Sequence, residues 1–328
     1  MQPSLRLIRN WADERAIPDL TLAELDYRLT YALGAIYTDP FLAARLCLKG
    51  GTVLNKLCFP TLSRLSVDLD FNAVGPKAQV LAERSQIITR LAALFAEQNA
   101  GYTVTHDCRY EQTNIVAHYA PLSGGPRQRL KLEISTVERV PILGRTARPL
   151  ILPDGASVSI ATYHLEELTA TKIRALYARR KGRDIYDLWR IASLDLDERA
   201  VRKLTLYYFY HAKMMFHYPT FLANVEEKLR HHGFGDDVRG LIRVGQEFDW
   251  SEACRAVIDR FAFLGALEDR DIHFLDLARV LLHKPVSDAT IETLAEIEYP
   301  IAWLMKGIPI SEEAAALRRD DIQVYLGS

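Results

Sequence analysis

The chain has 328 residues, with 41 Lys and Arg against 42 Asp and Glu for a formal net charge of −1, and it is 49% hydrophobic and 25% charged. That balance excludes a disordered chain, and no apolar run reaches the about 18 residues that a membrane span needs. Cys47, Cys58, Cys108 and Cys254 form no C-x-x-C pair, and residues 1–10 carry no apolar core before a small-residue cleavage site. The expectation is therefore free thiols in a cytoplasmic protein large enough for two domains.

Leu22, Leu25, Leu29, Ala32 and Leu33 recur at helical spacing and predict the first long helix. Residues 41–49 continue it into a short apolar run that ends at Lys49-Gly50-Gly51-Thr52. Residues 66–71 alternate polar and apolar, which predicts a strand with one buried face, and 80–98 read as a helix. Two β-rich runs, 102–110 and 114–122, predict strands joined by a turn, and a third strand at 127–135 follows Gly124-Gly125-Pro126. A Pro- and Gly-containing connection at 149–155 leads to a helix at 163–181, which Gly182 is expected to stop. A further helix starts at Asp184, and from about 195 onward the pattern is helical without a strand. The order predicts an N-terminal domain of strands and helices followed by a helical domain, with a boundary near 190–200.

Asp68-x-Asp70 is the strongest local signal. Alternate strand residues face one side, so the two carboxylates project together, while Val67, Leu69 and Phe71 face the other way. Two like charges that close need neutralising, and Mg²⁺ prefers such oxygen ligands; the competing reading is the solvated face of an amphipathic strand. Gly50-Gly51-Thr52 opens a short helical run and suits close backbone approach to a phosphate, or forms a plain turn with a threonine cap. Glu133 lies on the polar side of strand 127–135 with Lys131. If that strand pairs beside 66–71, Glu133 could be a third carboxylate of the same metal site; the equal alternative is an ordinary exposed strand face. Lys172 lies on the inward stripe of helix 163–181 with Leu165, Leu168 and Leu176. Such a lysine needs an anionic partner, unless it snorkels to the surface. Asp184 and Asp187 fit the cap and third position of the next helix.

In order and spacing, Lys49-Gly-Gly-Thr52, Arg64-x-Ser66-x-Asp68-x-Asp70-Phe71, Lys172-Ile-Arg-Ala-Leu176 and Arg183-Asp184-x-Tyr186-Asp187-Leu188 resemble the AbiEii/AbiGii toxin family of nucleotidyltransferases, which includes the MenT toxins. The resemblance spans roughly residues 45–190. It implies an α+β fold: a polymerase-β-like nucleotidyltransferase domain with a mixed sheet (1–194), then an all-helical C-terminal domain (195–328). It also implies an antitoxin partner and, as in some relatives, transfer of a nucleotide from an NTP to the 3′ end of tRNA, which blocks translation. By position, Gly50, Gly51 and Thr52 would hold nucleotide phosphates, and Asp68 and Asp70 would bind Mg²⁺. Lys172 would contact the triphosphate, and Asp184 would be a further catalytic acid with Asp187 beside it. Ser66 matches a serine whose phosphorylation silences some relatives. Two Mg²⁺ ions on the carboxylates would activate the attacking hydroxyl and neutralise the leaving pyrophosphate.

The near-zero total charge hides an asymmetry. Residues 172–183 contain Lys172, Arg174, Arg179, Arg180, Lys181 and Arg183 without an acid, and residues 123–148 carry six arginines and lysines against Glu133 and Glu138. Residues 284–328 run acidic. The basic segments suit an RNA end or a triphosphate, or are solvated surface. Tyr207-Tyr208-Phe209-Tyr210 either stacks on bases or fills a helical core. Two rivals keep the fold: a transferase acting on a small molecule or a protein hydroxyl, and a non-catalytic binding protein.

Overall fold

The computed structural model describes residues 3–59, 61, 63–97, 101–109, 111–179, 181–283 and 306–315. Contacts divide the chain into two compact units. One holds residues 1–140, 145–163 and 240–247; the other holds 141–144, 164–239 and 248–328. Contacts group the helices of 164–194 with the later helices, where the expectation set a boundary near 194.

The first unit is built on a mixed seven-stranded sheet. Its strands are β1 (Leu46–Lys49), β2 (Asp68–Ala73), β3 (Thr103–Cys108), β4 (Gln112–Tyr119), β5 (Gln128–Ser135), β6 (Arg145–Ile151) and β7 (Ser157–Tyr163), in the order β3-β4-β5-β2-β1-β7-β6. The pairs β2–β5 and β1–β7 are parallel and the rest antiparallel. Helices α1 (Leu5–Glu14), α2 (Leu20–Thr38), α3 (Pro40–Arg45), α4 (Gly50–Val53) and α5 (Lys77–Glu97) belong to the same unit. Asp19 caps α2 by accepting from Leu22 N at 2.8 Å. The α2 helix packs on β7 and β5, and α5 packs on β3. Leu69, Phe71, Ile115, Ala117, Leu132 and Ile134 are buried. The Tyr37 hydroxyl accepts from Leu48 N at 3.1 Å and donates to Ala161 O at 2.9 Å, joining β1 to β7.

Three local expectations change here. Residues 46–49 are not the end of a helix but a strand: four residues are too few to show a period, and their burial comes from lying between β2 and β7. Residues 145–163, expected to include only a connection at 149–155, form the β6–β7 hairpin. Pro149 sits in edge strand β6, where a missing N–H is tolerated. Strand β2 begins at Asp68 rather than at 66.

The second unit is helical among its described residues: α6 (Leu165–Ala178), α7 (Gly182–Ala192), α8 (Glu198–His211), α9 (Tyr218–Arg230), α10 (Asp236–Arg239), α11 (Trp250–Arg260), α12 (Asp269–His283) and α13 (Glu312–Ala315). Gly182 does not stop the preceding helix. That helix ends at Ala178 with Arg179 extended, and Gly182 opens α7. Asp184 is not the cap either: Lys181 holds that position, and Asp184 lies in the first turn with its side chain turned to cations. Glu167 is buried and accepts from Ile142 N (2.7 Å), Leu143 N (3.0 Å) and the Tyr208 hydroxyl (2.5 Å). Residues 207–210 are buried in α8, in line with the core reading. The acidic stretch 284–328 falls largely outside the described residues. Among those described, no helix is long and apolar enough to cross a membrane.

Candidate active site

Pairing of β2 with β5 aligns Asp68 with Lys131 and Asp70 with Glu133, and pairing with β1 aligns Asp70 with Lys49. Register partners share a face, so Lys49, Asp70 and Glu133 form one row across three strands. Asp68 and Lys131 form the next row. The alternation that buries Leu69, Phe71, Leu132 and Ile134 leaves the polar members partly open. The strand of Glu133 does pair beside β2, which the third-carboxylate reading requires. Its carboxylate is held by Lys131 Nζ, and Lys49 Nζ lies 3.3 Å from the buried Glu138 carboxylate.

Above this row the chain turns sharply. Gly50 has φ +76°, and a Cβ there would collide with Asp70 Oδ2, so only glycine lets the backbone pass so close to the carboxylate. Thr52 is buried. Its hydroxyl donates to Asp68 O at 2.5 Å, which leaves the Ser66 hydroxyl, 2.7 Å away, to donate to it. Thr52 therefore ties the glycine turn to the strand entry, and Ser66 is buried in the same link. Asn55 Nδ2 donates to Gly51 O at 2.7 Å, and Ser63 Oγ donates to Asn55 Oδ1.

The helical unit assembles Lys172, Asp184 and Asp187. Lys172 Nζ lies 3.2 Å from Asp184 Oδ1 and 3.0 Å from Asp187 Oδ2, with all three side chains buried. Arg179 grips Asp184 with two bonds of 2.8 and 2.9 Å. Burial pushes the Asp184 carboxyl up, but the Lys172 charge and the Arg179 bonds outweigh it and hold it below its ordinary value. Lys172 is thus not a snorkelling lysine. Much of the basic run 172–183 is engaged likewise: Arg174 donates to Tyr208 O at 3.1 Å and Arg183 lies 3.5 Å from Asp237.

Lys49 as the register partner of Asp70, and Glu138 as its counter-ion, escaped the sequence reading. Glu138 stands in a loop without periodicity, so only the fold reveals it. Among the described residues no group of three or more His, Cys, Asp or Glu side chains is placed to hold a metal. A pair of carboxylates nonetheless suits Mg²⁺, which takes one or two protein carboxylates and completes its shell with water and substrate phosphates.

The fold is of the α+β class, a mixed sheet that carries Asp68 and Asp70 beside the glycine turn at Gly50. The family model described as "Nucleotidyl transferase AbiEii toxin, Type IV TA system" matches residues 31–256. The chain belongs to this family of toxin–antitoxin nucleotidyltransferases. Among solved structures it is similar to MenT4, nucleotidyltransferase toxin Rv2826c from Mycobacterium tuberculosis H37Rv, with TM-score 0.67 and 21% identity over 92% of this chain and 99% of that one. A second match, JHP933 from Helicobacter pylori, has TM-score 0.49 and 17% identity over 77% and 96% of the two chains. No curated protein matches by sequence.

Proposed function

We propose that this toxin transfers a nucleoside monophosphate from an NTP, with Mg²⁺, onto RNA at the tRNA 3′ end, blocking translation in the cytoplasm until its antitoxin restrains it. The observation that carries the reading is the row Lys49–Asp70–Glu133, with Asp68 one step along β2 and Gly50 folded against Asp70. Asp68 and Asp70 are the residues that would hold the metal. When bound, Mg²⁺ supplies charge neutralisation on the phosphates and lowers the pKa of the attacking hydroxyl. The Gly50–Thr52 backbone receives phosphate oxygens at the turn. The acceptor oxygen bonds to the α-phosphorus, the bond to the β-phosphate oxygen breaks with its electrons leaving on pyrophosphate, and Glu133 takes the hydroxyl proton. Within the helical unit, Asp184 and Asp187 hold the ammonium of Lys172, the lysine that the family resemblance assigns to phosphate binding. The exposed Arg127 and Arg129 on and beside β5 support a polyanionic acceptor.

The test is a screen of the four labelled NTPs with Mg²⁺ and total tRNA, run with the wild type and Asp68→Ala. Label on tRNA, lost in the variant, is expected. Label confined to small molecules or to protein overturns the RNA acceptor.

A further inference from the structure

Residues 240–247 lie between helices of the second unit in sequence, yet they pack with the sheet unit. Leu241 O accepts from Leu65 N at 2.8 Å, and Val244 N donates to Ala16 O at 2.8 Å. Arg243, buried between these contacts, donates from Nε to Ser63 O at 2.6 Å and from Nη1 to Arg15 O at 2.7 Å. From Ser63 the bonds continue through Asn55 to Gly51 O. A continuous hydrogen-bonded chain therefore runs Arg243–Ser63–Asn55–Gly51. It grips the segment entering β2 from one side, while Thr52 grips it from the other through Ser66 and Asp68 O.

We propose that Arg243 is a positioning residue for nucleotidyl transfer, fixing through Ser63 and Asn55 the Gly51 peptide against the strand that carries Asp68 and Asp70. The proposal rests on the assignment of those two aspartates. A planar guanidinium meets two carbonyls from separate segments at once, which a lysine ammonium at the same place does with poorer geometry. The charge has a second task beside the buried Asp26–Lys56 pair (2.5 Å), so a substitution that keeps it separates geometry from electrostatics.

The experiment compares wild type, Arg243→Lys, Asn55→Ala and the double variant of the full chain. Hydrogen exchange read by mass spectrometry is expected to rise at 50–53 and 63–70 in both single variants, with β3 and β4 unchanged. At a temperature where every variant is folded, kcat is expected to fall about tenfold or more, as for losing a supporting contact to a reactive group. The Mg²⁺ concentration for half-maximal rate should rise, and the double variant should lose less than the sum of the singles. Exchange unchanged at 50–53, or full kcat in folded Arg243→Lys, overturns the proposal. A wild type that transfers no nucleotide instead overturns the catalytic assignment, and the exchange pattern still decides the role of Arg243.

Discussion

Gly50 and Asp70 are in contact through the absence of a side chain: a β-carbon on residue 50 would overlap Oδ2 of the aspartate. The chain turns at φ +76° there, so two independent reasons demand glycine. Gly50→Ala is expected to cost more than about 1 kcal/mol in urea unfolding and, by displacing Asp70, to lower transfer about 10²-fold. Gly155→Ala is the control. It shares a positive φ (+85°) but meets nothing within 4 Å, so it should lose some stability and keep full activity.

Lys172 requires a test that keeps structure and chemistry apart. Removing it takes the shared cation from Asp184 and Asp187 while Arg179 stays on Asp184, and Lys172→Ala is expected to cost about 3 kcal/mol, the low end of the range for breaking a buried ion pair. Adding Asp187→Asn should recover part of that stability without recovering NTP affinity. Affinity that returns along with stability would reduce Lys172 to a structural role.

Stability should depend on acid. Burial raises the Asp26 carboxyl, but Lys56 and Trp11 outweigh it, and Asp184 is likewise held down by Lys172 and Arg179. A carboxyl whose folded value lies below its unfolded value stabilises fully above the unfolded value, about 3.9. That contribution is lost as pH falls through the depressed folded value. Urea midpoints should hold from pH 7 to about 4.5 and fall below about 4, with a shallower acid limb in Asp184→Asn.

If the open face of β5 meets RNA, reversing its charge should weaken binding without touching the nucleotide. Arg127→Glu with Arg129→Glu is expected to lower RNA affinity and to flatten the plot of log affinity against log salt by about 2. NTP turnover on a saturating acceptor should persist. An unchanged salt slope would remove this face from the RNA path.

The sheet acids were legible because strand period is a local property: Asp68 and Asp70 alternate with Val67, Leu69 and Phe71, and Glu133 and Lys131 alternate with Leu130, Leu132 and Ile134. The helical placement of Lys172 was legible for the same reason. Strand β1 and the β6–β7 hairpin were not, because their burial and pairing come from distant strands. The cap assigned to Asp184 gave way to Lys172 and Arg179, since a buried carboxylate gains more from two cations than from backbone amides at a helix start.

By itself, then, the sequence determined which side chains face together along each strand and helix, and the family to which they belong. Only the tertiary structure decided which strand lies beside which, setting Glu133 and Lys49 on either side of Asp70 and bringing Arg243 from 180 residues away to Ser63. The reason is physical: periodicity is written in neighbouring residues, whereas register and buried charge pairing depend on groups that meet only once the core has closed.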